Sequence, residues 1–189
     1  MKNFFNKLFS VQKSKIQKSY NILGIKFRVR NYKYMIRKMY GWQYQERLKN
    51  NLKAQNIALP EDALFFDEAE LVNIALKDIR REWNGKIYSL KEVSPFKYLE
   101  TRDENVYTSY ICKHFPPDSQ PSENELKKYL SNFNKLEASI NENGYDLSRS
   151  IIALNKNNIV IDGQRRACIL LYKYGGNYEI TVIREKQSG

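Results

Sequence analysis

Asp162, Gly163, Gln164, Arg165 and Arg166 stand where two patterns meet: the β-branched run Ile159-Val160-Ile161 before them and the helical apolar pattern of Ala167, Ile169 and Leu170 after them. A strand that ends in Asp-Gly and opens straight into a helix presents free backbone N–H groups and the positive end of the helix dipole. Two adjacent guanidinium groups in the first helical turn oppose that dipole unless an anion is also present. Arginine meets phosphate oxygens with a planar, two-pronged donor set, so the chemistry that suits this corner is phosphate binding. Gly163 allows the tight turn and the close backbone approach such a site requires. A purely structural arrangement uses the same residues differently, with Asp162 as the helix N-cap and the arginines paired to acids elsewhere.

Other common chemistries have no carrier. None of the eight glycines lies in a GxxxxGK[ST] or GxGxxG frame, so neither common nucleotide-binding loop is present. Two cysteines, Cys112 and Cys168, and the lone His114 do not suffice for a tetrahedral zinc site of Cys and His alone, and they read as reduced thiols of a cytosolic protein. No apolar run reaches the roughly 18 residues that span a bilayer, and the polar interruptions in "MKNFFNKLFSV" argue against a signal peptide.

The 189 residues fit one domain with an extension, and 42% hydrophobic with 13% aromatic residues describe a folded chain. The net charge of +11 is unevenly spread: residues 1–50 hold thirteen Lys or Arg against the single acid Glu46, and the remainder is close to neutral. In that basic part, Phe4, Phe5, Leu8 and Phe9 have the spacing of one helical face, as in a short basic helix lying on an anionic membrane or docked on its own domain. Ile25, Phe27 and Val29 alternate as a half-buried strand after a turn at Gly24. The aromatic, basic stretch 32–56 reads as a helix interrupted near Gly41, with nucleic acid as an alternative occupant of its surface. Leu71, Ile74, Ala75, Leu76 and Ile79 predict a further helix ending near Gly85.

From Lys86 the elements that must position the corner follow. "KIYSLKEV" predicts a short strand, and "SPFKYLETRDENVYTSYICKHFPPDSQP" a long loop closed by Pro116, Pro117 and Pro121. Ser122 and Glu125 have capping-box spacing, and Leu126, Tyr129, Leu130, Phe133, Leu136 and Ile140 recur at three and four residues before Gly144, which marks the strongest helix of the chain. "SIIAL" and "NIVI" predict a pair of strands joined by "NKNN". The helix "QRRACILLYKY" then ends at Gly175 and Gly176, and "YEITVI" is a closing strand.

This order, with Leu136, Ser139, Ile140 and Gly144 followed by Gly163 and Arg166, resembles the ParB/sulfiredoxin superfamily over roughly residues 85–184. The resemblance implies an α+β (mixed α/β) nucleotide-binding domain at 85–189, behind a basic, mainly helical extension at 1–84. In sulfiredoxins the residue after the glycine is the catalytic cysteine; here it is Gln164, with Cys168 one turn further on, so sulfinic-acid reduction is not expected. Gly163-Gln164-Arg165-Arg166 is similar to the CTP-binding motif of chromosome-partitioning members, but the DNA-binding domain that follows in them is not expected from "REKQSG". Asp162, Gly163 and Arg166 match the Asp-Gly-x-x-Arg motif of the small-molecule kinases, including free-serine kinases, while Gln164 and Arg165 depart from it.

The resemblance to those kinases implies a nucleotide-dependent transfer of phosphate from ATP (or ADP or CTP), with Mg²⁺, to a hydroxyl of a small molecule or glycan. Gly163, Gln164, Arg165 and Arg166 would hold phosphate, Asp162 would bind Mg²⁺ or orient the hydroxyl, and Glu100 or Asp103 would act as the base. "KSYNILGIKFRVRN" is similar to segments preceding bacterial surface-polysaccharide enzymes, which suggests a capsule or lipopolysaccharide intermediate and a cytoplasmic protein peripheral to the inner membrane. Residues 1–50 would then meet anionic lipid or glycolipid in preference to DNA. The alternative is a CTP- or ATP-binding ParB-like regulatory or DNA-binding protein without kinase activity.

Overall fold

In a computed structural model the described residues are 9–13, 17–22, 25–30, 52–58 and 69–186. The chain divides into two compact units, Met1–Leu48 and Lys49–Gly189.

In the first unit three strands, β1 (Phe9–Lys13), β2 (Gln17–Ile22) and β3 (Ile25–Arg30), form an antiparallel meander in that order. Register places Phe9 opposite Ile22 and Ile22 opposite Ile25, and Val11 opposite Tyr20 and Tyr20 opposite Phe27. Apolar and β-branched residues therefore recur every second position across all three strands, the pattern that stabilises sheets. The expected strand around Ile25–Val29 is present. The expected helical face is not: Phe9 belongs to a strand, because cross-strand partners override the short 3,4 spacing, while Phe4, Phe5 and Leu8 lie outside the described residues. The interrupted helix near Gly41 also lies outside them, apart from the helical residues 52–54. Among the described residues the basic extension is a sheet and not mainly helical.

The second unit is mixed α+β. Its four-stranded sheet has the order β4 (Ala69–Ala75), β9 (Glu179–Glu185), β7 (Ala153–Leu154), β8 (Val160–Asp162). The helix predicted around Leu71–Ile79 is thus replaced by β4, which pairs antiparallel with β9. The reason is periodicity: Val72 and Ile74 turn inward while Leu71 and Asn73 are exposed, a period of two that the apolar count at three and four obscured. A second hairpin, β5 (Arg80–Trp83) and β6 (Lys86–Ser89), turns at Asn84-Gly85, where both residues have positive φ (51° and 77°), as a tight hairpin turn demands. Arg80 N–H donates to the Asn158 carbonyl at 2.9 Å, fastening this hairpin beside β8. The expected boundary between residues 84 and 85 falls inside this hairpin; the contact boundary lies between Leu48 and Lys49.

The predicted loop after Lys86 is instead largely two helices, α1 (Ser94–Thr101) and α2 (Glu104–Cys112). Phe96, Tyr98, Leu99, Tyr107 and Ile111 are buried along them, so their aromatic content reflects core packing. The long helix α3 (Glu123–Asn143) has the predicted reciprocal capping box, with Ser122 N–H donating to the Glu125 carboxylate at 2.7 Å, and its backbone is turned at Gly144. Helix α4 (Gln164–Tyr174) matches the predicted span. It packs on α1 and α3, and Ala167, Cys168, Ile169, Leu170 and Leu171 enter the core shared with Phe133, Ile152 and Leu154. That anchorage fixes the start of α4 against the end of β8.

Candidate functional site

The turn from β8 into α4 depends on Gly163, whose φ of +89° belongs to the left-handed region. A Cβ there would also lie 2.9 Å from Ile152 Cγ1 and 3.0 Å from Arg166 Nη2, so the position excludes side chains for two independent reasons. Gly163 is itself the N-cap residue, and no side chain caps α4. Asp162 does not act as the N-cap; its Oδ2 accepts from Arg166 Nη2 at 2.8 Å. Half of the apparent conflict of two cations with the helix dipole is thereby relieved, because the Arg166 charge is balanced by a carboxylate near the helix N-terminus. Arg165 has no carboxylate within ion-pair distance among the described residues and lies by the Tyr107 phenol.

A cavity of about 220 Å³ opens at this corner, lined by Asp162, Gly163, Gln164, Arg165 and Arg166 together with Arg81, Tyr110, Leu136 and Ile161. Five of the seven residues proposed from the sequence are brought together. The other two are not: Glu100 is exposed on α1, and the Asp103 carboxylate caps α2 by accepting from Asn105 N–H at 2.9 Å, and neither lines the cavity. The α1–α2 connection is held instead by Arg102, which has a φ of +58° and grips both oxygens of Glu137 on α3 at 2.7 Å. That pairing raises the Arg102 guanidinium above its ordinary value, so its charge is permanent.

Arg81 and Tyr110 had no signal among the expected site residues. Arg81 sits in "IRREW", a second double arginine, but only the β5–β6 hairpin and its attachment beside β8 bring it to the corner. Tyr110 comes from a segment expected to be a loop. Its hydroxyl reaches Gln164 Oε1 at 3.5 Å, and burial raises its phenol above the ordinary range, so it stays protonated as a donor. Burial raises the Tyr107 phenol in the same way, opposed by the Arg165 charge.

Buried polar atoms without a partner mark the place further. Gln164 Nε2 and Arg166 Nε are buried and unpaired among the described residues, on two residues that line the cavity, whereas the Tyr107 hydroxyl lies outside that lining beside the Arg165 guanidinium. Leaving such an atom unsatisfied costs about 1–3 kcal/mol each, and two of them on residues of one cavity are accounted for when a ligand supplies acceptors. Cys168, by contrast, is fully buried, and burial pushes its thiol up, which removes it as a thiolate nucleophile.

For Mg²⁺ the donor set is small. Among the described residues Asp162 is the one carboxylate lining the cavity, and no group of three or more His, Cys, Asp or Glu side chains forms a metal cluster. Mg²⁺ is commonly held by one or two carboxylates with the substrate's phosphates supplying the rest, and Asp162 fits that role. No helix among the described residues is long and apolar enough to cross a membrane. Searches with protein-family models, curated proteins and solved structures find no match to this chain.

Proposed function

We propose that this corner binds the phosphates of a nucleotide, ATP, ADP or CTP, and that the protein is a kinase transferring phosphate to the hydroxyl of a small molecule or glycan intermediate. The observation that carries this reading is the meeting of Arg81, Arg165, Arg166 and the start of α4 in one cavity with the carboxylate of Asp162. Phosphoryl transfer needs positioning and charge neutralisation more than covalent chemistry, and three guanidinium groups with a helix N-terminus provide both. Asp162 would hold Mg²⁺ with the phosphates, a metal that neutralises charge on the transferring group. The resemblance of Asp162-Gly163-x-x-Arg166 to the motif of ParB/sulfiredoxin-like kinases supports the same reading.

Arg166 serves two ends in this arrangement. Paired to Asp162, it fixes the carboxylate in place, and its buried Nε, unpartnered among the described residues, is available to a phosphate oxygen. Incubation of the purified protein with ATP or ADP, Mg²⁺ and a panel of hydroxy acids, amino acids and sugars is expected to yield a phosphorylated product. Asp162→Asn should lower turnover at least 100-fold while nucleotide affinity in the absence of Mg²⁺ changes little. Unchanged turnover in that variant would remove Asp162 from the chemistry.

A second reading, a CTP- or ATP-responsive regulatory protein without transfer, is favoured by one observation: Glu100 and Asp103, the expected bases, lie away from the cavity. Nucleotide binding without product across the panel is the outcome that would select it. A place in surface-polysaccharide synthesis, and membrane or glycolipid contact by residues 1–50, belong to the same proposal and rest on the sequence of the basic extension.

A further inference from the structure

A second cavity, of about 260 Å³, shares Arg81, Tyr110 and Gln164 with the corner and continues between the β5–β6 hairpin and the starts of α1 and α2's last turn. It is lined further by Trp83, Tyr88, Lys97 and Lys113. Among the described residues Arg81, Lys97 and Lys113 make no ion pair, and the one acid in the lining, Glu92, is already engaged by the Ser89 N–H at 2.7 Å and the Ser89 hydroxyl at 2.6 Å. Those bonds hold the Glu92 carboxyl below its ordinary range, so it is a fixed anion turned to its own backbone. The α1 N-terminus, which has no side-chain cap, adds Ser94 to the same wall.

Gln164 connects the two spaces. It is 9% exposed, lines both cavities, and its Nε2 has no hydrogen-bond partner among the described residues. With its Oε1 met by Tyr110, the Gln164 amide keeps a buried Nε2 between a corner and a chamber that share Arg81 and hold five cations together, and an acceptor from outside the chain would satisfy it. An anion in the corner leaves Lys97 and Lys113 exposed on the chamber wall, with Glu92 held by Ser89, so that both lysines can meet a second anion there.

We infer that the second chamber is an acceptor subsite for the anionic group, phosphate or carboxylate, of a hydroxyl-bearing substrate, with Lys97 and Lys113 as its charge donors and Gln164 placed between acceptor and nucleotide. This inference rests on the kinase reading: it makes the acceptor an anion, such as a sugar phosphate or a hydroxy acid, and disfavours neutral sugars. The shared chemistry has a second source, since a nucleotide's own terminal phosphate is also an anion that the chamber would accept.

The test uses the full chain and two probes, the non-hydrolysable ATP analogue AMPPNP and inorganic phosphate. Trp83 lines the chamber, and the chain has one other tryptophan, so its indole N–H signal, assigned with Trp83→Phe, reports occupancy locally by nuclear magnetic resonance. In protein saturated with AMPPNP, phosphate is expected to shift the Trp83 signal to saturation. Lys97→Ala with Lys113→Ala should weaken that phosphate binding at least tenfold and leave AMPPNP affinity within twofold; both lysines are exposed, so the fold is expected to persist. A Trp83 response that AMPPNP displaces, or AMPPNP affinity that falls with the lysines, would assign the chamber to the nucleotide and overturn the inference, as would no phosphate response at all. Failure of AMPPNP to bind, or binding indifferent to Arg166→Ala, overturns the nucleotide reading separately.

Discussion

The β8–α4 corner and the α1–α2 junction each set an aspartate beside an arginine at a chain reversal, and they leave their polar groups in opposite states. At the junction the named groups find partners: Asp103 caps α2, Arg102 holds both oxygens of Glu137, and the Tyr98 hydroxyl donates to Asn134 at 2.9 Å. At the corner Asp162 and Arg166 pair, yet Arg166 Nε and Gln164 Nε2 remain buried without partners among the described residues. Charged residues at a turn therefore do not by themselves mark a site. Junction groups have their hydrogen bonds inside the fold, and corner groups have capacity left over for something else.

The sharpest way to break this comparison is to alter the corner's backbone. Gly163→Ala would combine a left-handed φ with a Cβ 2.9 Å from Ile152 and 3.2 Å from the Ile152 Cα. The expected loss is about 2–4 kcal/mol, read from the urea midpoint, together with loss of nucleotide binding. A variant of near-normal stability would show that the corner relaxes freely and is not preorganised.

The next effect is on affinity. Arg166→Ala removes the partner of Asp162 and one of three guanidinium groups, and nucleotide affinity by calorimetry is expected to fall on the order of 100-fold. Glu100→Gln, on an exposed face of α1, should leave affinity and turnover within about twofold. If Glu100→Gln abolished turnover while binding persisted, the α1–α2 junction would have to move toward the corner during the reaction, and the contrast between the two regions would collapse.

The two regions also differ in how legible they were from sequence. The corner announced itself through a local contradiction, two cations in a first helical turn, and the structure preserves it with the predicted α4 span and the Asp162–Arg166 proximity. The long helix α3 was equally legible, because its caps and its period agree. The junction offered only residue types. Its segment lacks a long apolar repeat, so α1 and α2, of eight and nine residues, read as a loop until tertiary burial of Phe96, Leu99 and Tyr107 is known. Leu71–Ile79 misled for the related reason that a strand of seven residues includes apolar positions at helical spacing by chance. Arg81 was beyond reach of any local reading, since it joins the site through the hairpin's attachment at Asn158.

The smallest effect discriminates architecture from chemistry most cleanly. Asp103→Ala deletes the acceptor for the Asn105 N–H and should cost about 1 kcal/mol of stability, the usual value of an N-cap. Because the carboxylate does not line the cavity, nucleotide affinity and the rate of transfer at saturating substrates should both stay within about twofold. The useful control is Asp103→Asn, which keeps an acceptor oxygen but no negative charge, and should recover most of the lost stability. A general base would show the reverse order: the amide variant would restore the fold and still lack turnover. Stability and rate measured on this one pair of variants therefore separate a capping aspartate from a catalytic one.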